Sequence, residues 1–200
     1  MNILHLDSSI LATNSVSRGL TQALVSSLTA RHAGAQVTYH DLAANEIPHL
    51  SGEILGAAFT DKADWSPLQQ AEAARSDALI AEFLAADVLV IGAPMYNFGV
   101  PSQLKAWIDR VAVAGRTFKY TETGPVGLAG GKKVYVVSAR GGVYSNEQGQ
   151  QMDFQEDYLK TVLGFLGITD VSFVRAEGVA MGPDAKAAAL AAAEAAIAAA

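Results

Sequence analysis

Hydrophobic and polar residues along this chain keep two rhythms. Short apolar or alternating runs at Ile3-Leu4-His5-Leu6, 36–40, 88–91, 133–138 and 171–174 predict five strands. Between them, Leu20, Leu24 and Leu28 recur at helical spacing over residues 17–31. Leu79, Ile80, Phe83 and Leu84 do the same in a helix opened by Ser66-Pro67. Residues 103–111 and 154–165 predict two further helices, and 117–121 alternates as a short excursion or hairpin would. Strands taking turns with helices predict an α/β fold in one domain, 1–200. Its core is a doubly wound five-stranded parallel sheet, order 2-1-3-4-5, with helices on both faces and right-handed crossovers.

Pro183-Asp184 starts a last helix, in which twelve of the sixteen residues from Ala185 to Ala200 are alanine. Only Leu190 and Ile197 offer much area to bury. Intrinsic propensity is therefore expected to hold this helix more than packing, with a last turn that frays. Lys186 and Glu194 interrupt it, so no membrane role is expected.

Composition narrows the chemistry. There is no cysteine, which excludes disulfides, thiolate nucleophiles and zinc–thiolate sites. Fourteen basic against twenty acidic residues give a net charge of −6, without the Lys/Arg track that a nucleic-acid backbone requires. The four histidines lack metal-ligand spacing, so no metal is expected. The start of the chain lacks the basic and apolar segments of a signal peptide, and the expected location is cytoplasmic.

Candidate chemistry gathers where strands end. After strand one the chain runs Asp7-Ser8-Ser9-Ile10-Leu11-Ala12-Thr13-Asn14-Ser15-Val16-Ser17-Arg18. The free amides of a helix's first turn, with Ser9, Ser15, Ser17 and the amide of Val16, make a nest for a phosphate monoester. Simple helix capping would use the same serines. Arg18 is either a solvated charge or a peripheral phosphate contact. Neither G-x-x-x-x-G-K-[ST] nor G-x-G-x-x-G is present, which argues against a nucleoside triphosphatase and a dinucleotide fingerprint.

After strand three comes Ala93-Pro94-Met95-Tyr96-Asn97-Phe98-Gly99-Val100-Pro101, a rigid aromatic loop suited to a flat ligand with polar edges. After strand four, Ala139-Arg140-Gly141-Gly142 carries a glycine pair that lets backbone amides approach such a ligand closely. All three loops fall on one sheet edge, around the expected reversal of strand order. Together they suit a mononucleotide with a large planar ring, hence FMN.

With these residues in view, the chain resembles the FMN-dependent NAD(P)H azoreductases, flavodoxin-like proteins related to NAD(P)H:quinone oxidoreductases. The resemblance spans essentially all 200 residues. It rests on Leu6-Asp7-Ser8-Ser9-Ile10-Leu11, Ser15-Val16-Ser17, Ala93 to Phe98, Leu104-Lys105, Phe118-Lys119-Tyr120-Thr121-Glu122, Gly130-Gly131-Lys132-Lys133, Arg140-Gly141-Gly142 and Phe165-Leu166-Gly167-Ile168. It implies a homodimer with one FMN per subunit and active sites at the interface. Ser9, Ser15, Val16 and Ser17 would hold the ribityl phosphate. Met95, Tyr96, Asn97 and Phe98 would embrace the isoalloxazine, and Ala139, Arg140, Gly141 and Gly142 would reach its pyrimidine side. Ala139 stands where the family pattern has a serine.

The implied activity is ping-pong transfer of two electrons from NADH or NADPH, through FMN, to quinones or to aromatic azo compounds that are cleaved to amines. No protein nucleophile or proton relay is called for, because the flavin carries the electron chemistry. Phe59, Phe98, Phe118 and Tyr120 are the candidate walls for flat aromatic acceptors. An NAD(P)H-dependent FMN reductase and a flavodoxin-like single-electron carrier are the competing readings.

Overall fold

The protein is described here from a computed structural model covering Met1–Ala200. The elements are β1 (Asn2–Asp7), α1 (Val16–Arg31), β2 (Gln36–Asp41), α2 (Gly52–Gly56), α3 (Pro67–Ala85), β3 (Val88–Pro94) and α4 (Ser102–Val111). There follow β4 (Phe118–Thr121), β5 (Gly124–Gly127), β6 (Lys133–Ala139), α5 (Glu147–Gln150), α6 (Glu156–Phe165), β7 (Asp170–Ala176) and α7 (Pro183–Ala199). β1, β2, β3, β6 and β7 form one parallel sheet in the order β2-β1-β3-β6-β7. The numbers jump because an antiparallel hairpin, β4–β5, is inserted between α4 and β6.

Alternation along the strands feeds two cores. Leu4, Leu6, Leu89, Ile91, Val134 and Val136 face α3, α4 and α6, where they meet Ile80, Phe83, Leu104, Trp107, Leu159 and Leu163. Ile3, Val88, Val90, Val137 and Val174 face the other way, onto Leu20, Leu24 and Leu28 of α1 and onto α7. Each such side chain, fully buried, contributes about 1.5–3 kcal/mol before entropy is counted. All seven residues of β3 are buried, as a central parallel strand requires. No helix is long and apolar enough to cross a membrane.

α7 differs from its expectation. Ala189, Ala193 and Ile197 form a buried stripe with i,i+4 spacing against β7 and α1, while Leu190 is only partly buried. Small side chains let the helix approach the sheet closely, so packing contributes alongside propensity. Helical structure continues to Ala199, and the Tyr135 hydroxyl donates to the Ala200 carbonyl at 3.4 Å.

The hairpin stands on a contact between backbones. A Cβ added at Gly127 would lie 2.1 Å from the Gly167 nitrogen, and Gly167, at φ +93°, occupies a conformation that favours glycine. Ala129 N also donates to Leu166 O at 2.9 Å, which fixes the foot of the hairpin to the end of α6.

Candidate active site

Strand order reverses between β1 and β3, so the crevice beyond their carboxyl ends is where a doubly wound sheet binds ligands. The loop after β1 is tied down on its β3 side: Ser8 Oγ donates to the Gly92 carbonyl at 2.6 Å. Ser9 Oγ accepts from Leu11 N at 3.3 Å. Ser15 caps α1, its Oγ accepting from Arg18 N at 3.2 Å and lying 3.1 Å from Ser17 Oγ. The amides of Val16 and Ser17 have no acceptor within the protein. Two free amides beside two hydroxyls at a helix start make a nest that suits an anion.

Arg18 is neither a solvated charge nor a free phosphate ligand. Its Nη2 donates to Ser9 O at 3.0 Å and to Asp41 Oδ1 at 2.6 Å, and its Nη1 donates to Tyr39 Oη at 2.9 Å. Asp41 Oδ1 also accepts from the amides of Ala43 and Ala44. The bond to Asp41 raises the Arg18 pKa, and the same bond holds the Asp41 carboxyl below its ordinary value. Tyr39 Oη in turn donates to Asp7 Oδ2 at 3.2 Å, and burial pushes that phenol up to about 12. The arginine therefore clamps the phosphate loop to β2 from behind. A cavity of about 640 Å³ flanks this clamp, lined mainly by polar and charged residues, His5, Asp7, Ser15, Arg18, Tyr39 and Asp41 among them. None of the residues from Met95 to Phe98 borders it.

The loop after β3 is a tight reversal. Tyr96 and Gly99 exchange both backbone hydrogen bonds, each 3.1 Å, around Asn97 at φ +49° and Phe98 at φ +69°. An aromatic residue at positive φ is strained, and such strain gathers at ligand sites. Phe154 N holds the turn by donating to Phe98 O at 3.1 Å. The amides of Asn97 and Phe98 remain free. Tyr96 Oη reaches back to the first loop, 3.3 Å from both Ser9 Oγ and Ile10 N.

At the third loop the amides of Gly141 and Gly142 are likewise without acceptors in the protein. Ala139 is buried, and its carbonyl accepts from Met95 N at 2.8 Å, joining this loop to the second. Arg140 departs from its expected place on the ligand side. Only 1% of it is exposed, and its backbone amide donates to Ala176 O. Its guanidinium lies within 2.6–3.3 Å of carboxylate oxygens of Asp153, Glu156 and Glu177. Three carboxylates draw the charge inward, away from the surface. Glu177 Oε1 also accepts from Tyr144 N at 2.8 Å, so the same carboxylate anchors the far end of the loop. The hydroxyl of Ser138 faces inward as well, toward Arg140 and Gln155.

The candidate walls divide. Phe59 (84% exposed), Phe98 (44%) and Tyr120 (73%) are open to solvent. Phe118 is not: at 8% exposure it belongs to the core, with its ring 4.5 Å from that of Phe165 and 5.5 Å from that of Tyr120. The strand leaves the body of the protein at Phe118, so the residue at its root is covered and the one nearer its tip is free. Trp65 holds the turn that carries Phe59, its indole N–H donating to Ala57 O and Thr60 O at 3.1 Å. Trp107 is core. The exposed Phe154, beside the Phe98 turn, was not singled out by the sequence, which places it at a helix start.

Three pairs of free amides thus line one edge of a doubly wound sheet of the flavodoxin type. A family model described as a flavodoxin-like fold matches residues 1–200, and the chain belongs to that family. It is 65% identical over 187 residues to an FMN-dependent NADH:quinone oxidoreductase of Chromobacterium violaceum, covering 94% of this chain and 93% of the relative. An azoreductase of Bacillus anthracis strain Sterne superposes with a TM-score of 0.90 at 32% identity, covering 99% of this chain and 97% of that one. A second B. anthracis protein, an FMN-dependent NADH-azoreductase solved with FMN, gives 0.89 at 28% identity, covering 99% and 98%.

Proposed function

We propose that this chain is an FMN-dependent NADH:quinone oxidoreductase that also cleaves aromatic azo compounds. The observation that carries this reading is the set of free amides at Val16 and Ser17, Asn97 and Phe98, and Gly141 and Gly142, on loops tied to one another. A phosphate, a flat ring and a carbonyl-rich ring edge call for those donors in that order along the sheet. Names of relatives that are 65% and 64% identical over nearly the whole chain support the same cofactor and electron donor.

FMN, when bound, supplies the hydride acceptor and donor. The protein's part is to hold and to shield. Ser9, Ser15, Ser17 and the Val16 amide bind the phosphate; Met95 to Phe98 cradle the ring. The free amides of Gly141 and Gly142 would serve as preorganised donors toward the electron-rich edge of the ring. Phe59, Phe98 and Tyr120 supply walls that recognise flatness more than pattern, which suits both quinones and azo compounds. One subunit leaves these aromatics open, and a homodimer with its active sites at the interface would cover them.

Anaerobic mixing of the FMN-loaded protein with NADH, followed through the visible flavin absorbance, is the test. Bleaching by NADH and recovery on adding a quinone support the reading. A protein that takes up no FMN, or whose bound FMN is untouched by NADH, overturns it.

A further inference from the structure

The geometry points to Gln155 as a positioning residue of the flavin site, one that sets the spacing between the ring loop and the glycine loop. This rests on the reading just given. Gln155 is completely buried, so it touches no ligand itself. Its side chain spans the ends of the two strands that deliver those loops. Nε2 donates to Ala93 O, near the end of β3, at 3.0 Å; Oε1 accepts from Ser138 Oγ, near the end of β6, at 3.0 Å.

The direction of every bond in this chain is forced. A backbone carbonyl only accepts, so the Gln155 amide nitrogen faces Ala93. A guanidinium only donates, so Ser138 Oγ accepts from Arg140 Nε at 3.0 Å and gives its own proton to Gln155. Arg140 then continues into Asp153, Glu156 and Glu177. The residue before Gln155 completes the link, since Phe154 N holds the strained Phe98 carbonyl. Residues 154 and 155 thus grip the ring loop twice and the glycine loop once. Buried networks of this kind hold their geometry only while every member is satisfied.

Gln155→Glu keeps the size and reverses one bond. The introduced carboxylate sets acceptor against acceptor at Ala93, and protonation restores the donor. Gln155→Leu removes both bonds at every pH, and Ser138→Ala removes one bridge with little change of volume. FMN affinity and the visible spectrum of the bound flavin are measured from pH 5 to 8 for these variants and wild type, with thermal melting as a check of the fold.

The expected result is FMN binding weakened about tenfold in Gln155→Glu near neutrality, with a shifted spectrum, and partly recovered relative to wild type as the pH falls. Gln155→Leu should bind weakly without recovery, and folded Ser138→Ala should show a smaller loss in the same direction. Wild-type affinity and spectrum in Gln155→Glu overturn the assignment, as does a loss in that variant that ignores pH. If both changes at position 155 abolish folding, an unaltered Ser138→Ala overturns it. Failure of wild type to bind FMN is a separate outcome that removes the proposed function itself.

Discussion

The hydroxyl of Tyr96 lies 3.3 Å from that of Ser9, so the ring loop and the phosphate loop, 87 residues apart in the chain, meet through one phenol. The same oxygen accepts from Ile10 N at 3.3 Å. Neutral, partly buried bonds of this kind contribute about 0.5–1.5 kcal/mol. Tyr96→Phe should therefore weaken FMN binding by roughly twofold to twelvefold, read by equilibrium dialysis. Unchanged affinity would mean that the two loops are held independently.

Arg18 and Asp41 make a pH-dependent contribution whose sign follows from their pairing. The Asp41 pKa is lowered in the folded state, first by the bond from Arg18. Its stabilisation is present above the unfolded value of about 3.9 and fades as pH falls through the lower folded value. Urea midpoints of wild type should exceed those of Asp41→Asn at neutral pH, and the gap should narrow below about pH 4. A constant gap would remove the ion pair as its cause.

Two tyrosines should titrate late. Burial raises Tyr39 and Tyr158 to about 12. A raised folded value means that the neutral phenol contributes stability below the unfolded value of about 10, lost as pH rises through the folded one. Ultraviolet titration of tyrosinate should lose one late equivalent in Tyr39→Phe and one in Tyr158→Phe. Curves that superpose on wild type would disprove the shift.

Arg140 should matter to folding before it matters to the ligand. Arg140→Met leaves Asp153 and Glu177 facing each other without their cation, while Glu156 keeps only its bridge to Arg175. Breaking a buried pair in this way costs about 3–5 kcal/mol. Chemical denaturation should show that loss in the FMN-free protein. A full-strength fold with impaired FMN binding would return Arg140 to the ligand side.

Phe118 and Tyr120 should separate stability from acceptor choice. Phe118→Ala opens a core cavity and should cost about 3–5 kcal/mol. Tyr120→Ala should leave stability near wild type while removing stacking worth about 0.5–1.5 kcal/mol, a threefold to twelvefold change in reoxidation by quinones. Stopped-flow reoxidation with several acceptors checks the second claim, and denaturation checks the first. Equal effects of both substitutions on both measurements would refute the division.

The alternation of strands and helices was legible because each strand's apolar run is short and each helix's spacing is clean. The serines after β1 and the Met95–Tyr96–Asn97–Phe98 segment could be picked out because their chemistry is local, and the structure puts them beyond the ends of β1 and β3. What could not be read depends on partners far away in the chain. Arg18 finds its role through Tyr39 and Asp41, and Arg140 through Asp153, Glu156 and Glu177. Period-2 alternation puts Phe118 and Tyr120 on one face, but it does not say where the strand leaves the core. The return strand Gly124-Pro125-Val126-Gly127 has no apolar rhythm at all, since its shape is fixed by the neighbour it stands on. Alanines 189 and 193 of α7 look featureless until the sheet beneath them is known.

The glycine-on-glycine foot of the hairpin has a consequence for how this protein can change over generations. At Gly127 a single added methyl group would collide with the Gly167 backbone, so variation at the root is closed off unless the whole arm shifts. At the tip, Lys119, Tyr120 and Thr121 are exposed and bear no such constraint. A lineage can therefore trade one palette of tip residues for another, while the arm keeps its bearing on the rest of the enzyme. The Gly127–Gly167 contact is the fixed point in such a scheme, and the tip is where inheritance can experiment.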